Sequence, residues 1–312
     1  MKLMKYKFML TCCLAICSVV MFTGCDDKAD VAPVGDNIDK LISANTDLSI
    51  FQAALVKTRL DQFTKGGGPF TIFAPTNAAF NAIGINSATD LALLDSNALV
   101  QLITYHIQSV SRSFTEIPLG PNATMSTIGG GVQYGARYTD GRAYINGARI
   151  TNSGGTAASN GFLYIVDRVL VPGTLSASAA LTASGNYKLM LQAMAKTAVS
   201  NTTNPLTIFA VPNSVMIAAG YDSTTIANIG TTGVPFTTLK AIMQYHTVAQ
   251  RIFSPNFKAG ALKTVQGTNV TITTGTTVMV KGTNNPAPFS IVVPDVITTT
   301  GVIHGINGLL KP

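Results

Sequence analysis

Chemistry in this 312-residue chain would fall to few groups: three histidines, four cysteines and 14 carboxylates. Two of the histidines, His106 and His246, each follow a tyrosine, Tyr105 and Tyr245, where helical spacing of apolar residues ends. Buried, the imidazole must satisfy both ring nitrogens against backbone, and it would then fix the helix-to-strand junction. The buried role is the expectation, with Tyr105, His106, Tyr245 and His246 kept as candidate binding residues. His304, in an apolar run, reads as a strand side chain and nothing more. Catalysis needs convergent groups, and none converge in sequence. No Gly-x-Ser-x-Gly follows a strand, and Gly129-Gly130-Gly131 lacks the lysine and helix of a phosphate loop. The expectation is no catalytic residue, no metal site and no cofactor.

The cysteines point to lipid rather than thiol chemistry. Lys2, Lys5 and Lys7 precede an apolar stretch from Phe8 to Phe22. That stretch is short for a membrane span and has the proportions of a secretory signal core. Phe22-Thr23-Gly24-Cys25 follows and resembles the lipobox of bacterial lipoproteins. Residues 1–24 then form a signal peptide, Cys25 carries lipid, and 25–36 is a tether. Cys12, Cys13 and Cys17 depart with the signal, leaving no disulfide framework and no cysteine nucleophile. Lipid chains contribute about 0.8 kcal/mol per buried CH₂, and two or more hold a protein stably on a membrane. The membrane is therefore an expected partner, through Cys25. Asp26-Asp27-Lys28 resembles the acidic export signal of Bacteroidetes-type lipoproteins, which implies the outer membrane and its exposed face, whereas in enterobacterial lipoproteins an Asp after the Cys implies retention at the inner membrane. Removing the three leader lysines from 21 basic residues leaves 18 against 14 acidic ones. These are scattered, with no tryptophan and no basic stripe, so no nucleic-acid partner is expected.

The elements that position these residues occur twice. Pro69-Phe-Thr-Ile-Phe-Ala-Pro-Thr-Asn77 aligns with Pro205-Leu-Thr-Ile-Phe-Ala-Val-Pro-Asn213 at an offset of 136. The segments 103–106 and 161–172 align with 243–246 and 301–312 at an offset of 140. A period of this size means duplicated domains, not a solenoid. In the first copy, Asp47 is expected to cap a helix carrying Leu48, Phe51 and Leu55, and Thr76 a short helix through Phe80. A strand spans 70–74, and helical spacing returns at Leu99, Ile103 and His106. Asp140-Gly141 and Asn146-Gly147 signal hairpins, and 161–170 is the last strand. The second copy is expected to have helices at 187–199 and 236–246 and a strand at 206–210. A Thr-rich hairpin at 265–280 and a closing strand at 301–310 complete it. Helices before strands within each unit indicate α+β.

These blocks resemble the fasciclin domain family. The resemblance is carried by Thr71-Ile-Phe-Ala-Pro-Thr-Asn-Ala-Ala-Phe80, by Tyr105-His106 and Tyr245-His246, and by Asn160-Gly-Phe-Leu-Tyr-Ile-Val-Asp-Arg-Val-Leu170. It implies two tandem domains, 37–172 and a divergent 181–312, joined by a linker at 173–180. Each would be a β-sandwich or wedge with packed helices. It also implies an adhesion or binding role toward cells, matrix or polysaccharide, with an unknown protein or glycan ligand, and for the Tyr-His pairs a part in recognising it. The alternative is an assembly component docked on other outer-membrane proteins. Val211-Pro212 stands where the first copy has Pro75-Thr76, losing a cap, and Asn307-Gly308 where it has Asp167-Arg168, losing a charge pair. Asp222-Ser223-Thr224 resembles a short O-glycosylation motif.

Overall fold

A computed structural model describes residues 35–199 and 205–312. The leader, Cys25 and most of the proposed tether lie outside the described residues. Gly35–Pro312 forms one compact unit holding both copies.

In the first copy, five helices pack beside two small sheets. The helices are α1 (Ile38–Ser43), α2 (Ser49–Lys57), α3 (Asp61–Lys65), α4 (Asn77–Asn81) and α5 (Ser96–Thr104). The strands are β1 (Phe70–Pro75), β2 (Ile107–Gln108), β3 (Gly120–Ser126), β4 (Val132–Arg137), β5 (Ala143–Ile145), β6 (Ala148–Arg149), β7 (Thr156–Ala158) and β8 (Gly161–Val166). One sheet has the order β2-β1-β8-β7 and the other β3-β4-β5-β6. The central pair β1/β8 is parallel, Phe70 opposite Gly161 through Pro75 opposite Val166. β1 is buried along nearly its whole length, as its unbroken apolar run requires.

The second copy repeats the plan with α6 (Ala177–Ala183), α7 (Lys188–Thr197), α8 (Asn213–Ala218), α9 (Ser223–Asn228) and α10 (Val234–Tyr245). Its strands are β9 (Leu206–Ala210), β10 (Thr247–Val248), β11 (Gly260–Lys263), β12 (Asn269–Thr273), β13 (Met279–Lys281), β14 (Phe289–Thr298) and β15 (Gly301–Ile306). They make a single sheet, β10-β9-β15-β14-β13-β12-β11, with β9 and β15 parallel. The Thr-rich strand β12 alternates exposed and buried, as a half-buried strand must.

Several expectations change. Asp47 is not the cap of α2. Asn45 accepts from the Asp47 N–H, opening a 3₁₀ turn at Thr46–Leu48, and Asn77 Oδ1 accepts the Ile50 N–H of α2 at 3.0 Å. The donor at this helix start is thus met by a side chain 27 residues away, which also seats α4 on α2. Thr76 does cap α4, accepting from Ala79 at 3.1 Å. Asn146-Gly147 forms a two-residue turn with both φ positive, +52° and +79°. At Asp140-Gly141 only the glycine is left-handed, so that turn is of another type. The stretch 173–180 is not a free linker: Ala177 begins α6, and the Thr299 N–H donates to the Leu175 carbonyl at 2.9 Å. Asp222 caps α9 by accepting from Thr225 at 2.7 Å, which gives the supposed glycosylation motif a helical role.

Candidate functional site

The histidines of the two Tyr-His pairs are held alike in the two copies. His106 and His246 are fully buried just beyond the ends of α5 and α10. Nδ1 of His106 donates to the Leu102 carbonyl at 2.8 Å, and Nε2 accepts the Leu170 N–H at 2.9 Å. In the second copy the partners are Ile242 at 2.8 Å and Leu310 at 3.0 Å. Burial lowers both imidazole pKa values to about 4, so the rings are neutral with the proton on Nδ1. Each ring ties a helix end to the segment after the last strand, at Leu170 and at Leu310. Tyr105 is 2% exposed and Tyr245 0%. Their hydroxyls donate to the carbonyls of Val132 and Asn269, both at 2.6 Å. As a surface for a partner, these four residues are therefore corrected: burial leaves them nothing to offer.

His304 does more than fill a strand. Tyr164, its counterpart, donates from its hydroxyl to the Arg112 carbonyl at 2.9 Å. His304 Nε2 donates to the Ile252 carbonyl at 2.8 Å, and residue 252 is 112 shifted by 140. Its other nitrogen accepts the Asp295 N–H at 3.2 Å. Burial lowers its pKa as well. A second buried device went unread: the hydroxyls of Thr71 and Thr207 donate to the carbonyls of Val110 and Gln250, both at 2.6 Å. Their positions in the aligned Pro-x-Thr-Ile-Phe-Ala blocks were the only available signal.

Several polar groups line clefts where the copies meet. Asp295, with a side chain 2% exposed, sits at the bulge of β14 with φ +62°. It receives Arg168 of the first copy at 2.7 Å and the Ser254 N–H at 2.5 Å. Gly147 lies so close that a Cβ there would stand 2.5 Å from the Asp295 carboxylate. Beside this clasp, Tyr134 meets Phe253 with ring centres 5.8 Å apart, and the Arg251 guanidinium lies 4.1 Å from the Tyr134 ring centre. The Asn122 amide donates to the Arg251 carbonyl at 2.7 Å, and the Tyr138 hydroxyl donates to Asn256 Oδ1. Two clefts flank these contacts. One, of about 460 Å³, is lined by Arg142, Arg149, Asp167 and Arg168 facing the Thr274–Thr277 loop. The other, of about 360 Å³, is lined by Asn122, Arg251, Asn256 and Lys258 over apolar walls. Neither cleft brings two carboxylates together. Among the described residues, no group of three His, Cys, Asp or Glu is placed to hold a metal.

Asp167 and its replacement show what divergence cost. Asp167 Oδ1 accepts the Arg149 N–H at 2.7 Å, and Asn307 Oδ1 accepts the Ser290 N–H at 2.9 Å. The exchange keeps the hydrogen bond and drops the charge.

The fasciclin-domain model matches residues 46–172 and again 182–312, covering each copy from beyond or near the end of its first helix to its closing segment. The chain belongs to the fasciclin family. Similar proteins include "Protein sll1483" of Synechocystis, 29% identical over 136 residues, 43% of this chain and 73% of that one. Human periostin is 30% identical over 141 residues, 45% of this chain but 16% of periostin. The cell surface glycolipoprotein MPB83 of Mycobacterium bovis is 32% identical over 111 residues, 35% of this chain and 46% of that protein. Among solved structures, a FAS1 domain pair from the insect cell adhesion molecule fasciclin I is similar at 18% identity. That match has a TM-score of 0.39 and covers 84% of this chain and 96% of the other. Among the described residues, no helix of the fasciclin pair is long and apolar enough to cross a membrane.

Proposed function

We propose that this protein is a surface-anchored adhesion lipoprotein, tethered through lipid on Cys25 and displayed from the outer membrane toward cells, matrix or polysaccharide. The observation that carries the reading is the fasciclin pair itself: two complete domains in one compact unit, preceded by a lipobox-like Phe22-Thr23-Gly24-Cys25. Two binding modules on one tether raise effective concentration and gain avidity without new contacts. A relative whose name places it on the cell surface as a glycolipoprotein supports the same reading.

Cells displaying the full-length chain should adhere to other cells or to an immobilised polysaccharide more than cells lacking it. Cys25→Ser should abolish metabolic labelling with a palmitate analogue and remove the protein from the surface. Equal adhesion with and without the chain sinks the adhesive role. A stoichiometric outer-membrane protein partner captured by crosslinking would favour the assembly role in its place.

A further inference from the structure

The sequence contains three Asn-Gly pairs: Asn146-Gly147, Asn160-Gly161 and Asn307-Gly308. Such a pair holds an electrophile and a nucleophile side by side, the asparagine side-chain carbonyl carbon and the next backbone nitrogen. Glycine has no Cβ, so that nitrogen is open to close approach. Two of the three pairs are locked. Buried Asn146 donates to the Tyr105 hydroxyl at 2.8 Å and accepts the Tyr134 N–H at 2.7 Å. Buried Asn160 donates to the carbonyls of Thr64 and Gly66, both at 2.8 Å, and accepts the Ile38 N–H at 2.9 Å. Neither side chain can turn toward its glycine without stranding buried polar groups.

Asn307 is different. It is exposed and follows the last residue of β15. Its Oδ1 accepts the Ser290 N–H at 2.9 Å. Among the described residues, neither its amide nitrogen nor the Gly308 N–H has a hydrogen-bond partner. Packing also holds the pair in place. A Cβ at Gly308 would run into the Phe289 ring, and Ser290 takes its acceptor from the side chain at 307. The first copy has Asp167-Arg168 in the same register, with no amide to lose.

We propose that Asn307 is a self-modifying deamidation site, with water as its only co-reactant. The Gly308 nitrogen bonds to Asn307 Cγ, the Cγ–Nδ2 bond breaks, and the Gly308 proton leaves with the amide nitrogen as ammonia. Water then opens the resulting cyclic imide. Opening at the side-chain carbonyl gives aspartate, and opening at the main-chain carbonyl gives isoaspartate. The two products differ in consequence. Aspartate restores the first copy's solution, since Asp167 accepts the Arg149 N–H as Asn307 accepts that of Ser290. Isoaspartate adds one carbon to the main chain just ahead of two anchors. These are the Leu310 N–H on His246 Nε2 at 3.0 Å and the Lys311 N–H on Asn285 Oδ1 at 2.9 Å. The second copy's closure therefore ages by a route that the first copy lacks.

The full-length chain in detergent, incubated at mildly alkaline pH, tests this by mass spectrometry of each Asn-Gly peptide, with fragmentation that separates aspartate from isoaspartate. A parallel sample in urea removes the protection of the fold. In the folded chain Asn307 should convert roughly tenfold or more faster than Asn146 or Asn160, which react only through local opening. In urea the three rates should converge. Equal rates in the folded chain, or an intact Asn307 while the urea sample reacts, overturns the proposal. Asn307→Gln, which moves the amide one carbon farther from the Gly308 nitrogen, should abolish conversion at 307. Hydrogen exchange should quicken in the peptide holding Leu310 for the isoaspartate fraction and not for Asn307→Asp. Equal exchange in both would overturn the assigned consequence.

Discussion

The two copies share their backbone anchors but not their cores. In both, an imidazole, a tyrosine hydroxyl, a threonine hydroxyl and an Asn side chain bind matching backbone groups. The packing around them differs. The first copy's apolar residues fall into two clusters, one under the helices and one under the β3–β6 sheet. The second copy has a single cluster. A buried amide pair accounts for part of the division: Gln108 Nε2 donates to Gln133 Oε1 at 2.6 Å, and Gln133 Nε2 to the Tyr105 carbonyl at 2.6 Å. The matching positions on β10 and β12 hold buried Val248 and Val270. The sheets differ likewise. β6 and β7 are two short strands separated by a glycine-containing loop, whereas β14 runs ten residues and pairs with both β13 and β15. That continuous strand carries Asp295 to the first copy. Divergence therefore spared the hydrogen-bonded frame and was spent on core polarity and on the seam.

Acid should expose the shared frame most strongly. The unfolded chain protonates each histidine near pH 6.5, while His106 and His246 in the fold hold out to about 4. Between those values the unfolded state binds more protons, so stability falls as pH drops through the window and is unaffected above it. The loss is on the order of 3 kcal/mol for each of these two rings. His304, also lowered, adds a third proton that only the second copy takes up. Urea denaturation across pH 7 to 4 should show that slope, and His304→Tyr, which installs the first copy's residue, should reduce it. An unchanged slope in His304→Tyr would mean that this imidazole does not titrate differently on folding.

The seam ranks next. Asp295→Ala removes the carboxylate that Arg168 and Ser254 share, leaving the Ser254 N–H and hydroxyl without their acceptor and Arg168 with only the Gly147 carbonyl and Asp167. Arg168 is about one-third exposed, so the cost should lie near the lower end for broken buried pairs, about 3 kcal/mol. The comparison sharpens if unfolding then splits into two transitions, one for each copy. A single transition at unchanged midpoint would show that the clasp does not couple them.

Much of this was legible because it was periodic or chemically singular. The unbroken apolar runs gave β1 and β9, Thr76 gave its cap, and Asn146-Gly147 gave its turn. Asp47 misled because a local cap was sought where Asn77, remote in sequence, supplies the acceptor. β14 went unread because its Pro294 and Asp295 look like breakers, and the bulge that accommodates them is a property of strand pairing. The seam was invisible for the same reason. Arg168 could be seen as a charge, but its partner 127 residues away could not.

The amide pair offers a test in which one substitution should hurt and two should not. Gln133→Val alone strands the Gln108 amide and the Tyr105 carbonyl, costing about 1–3 kcal/mol. Gln108→Val with Gln133→Val installs the second copy's solution and should recover most of that loss, since paired apolar replacement is close to neutral. A double-mutant cycle by urea denaturation reads the difference. Additive losses would show that the first copy's core cannot close as the second's does.

The smallest effect concerns the lost cap. Thr76 and Pro212 hold almost the same backbone conformation, φ −67° and ψ 162° against φ −60° and ψ 152°. Only threonine accepts a helix N–H through its side chain, at Ala79; Pro212 makes no side-chain cap bond. Thr76→Ala should therefore cost about 1 kcal/mol. Pro212→Thr gains a similar cap but frees the unfolded chain that proline restrains, a penalty of about 0.4–1 kcal/mol. The two terms nearly cancel, so Pro212→Thr should leave the denaturation midpoint almost unmoved. A clear gain in Pro212→Thr would mean that capping outweighs chain stiffness at this junction. A clear loss would mean that the second copy came to rely on its proline when it gave up the threonine.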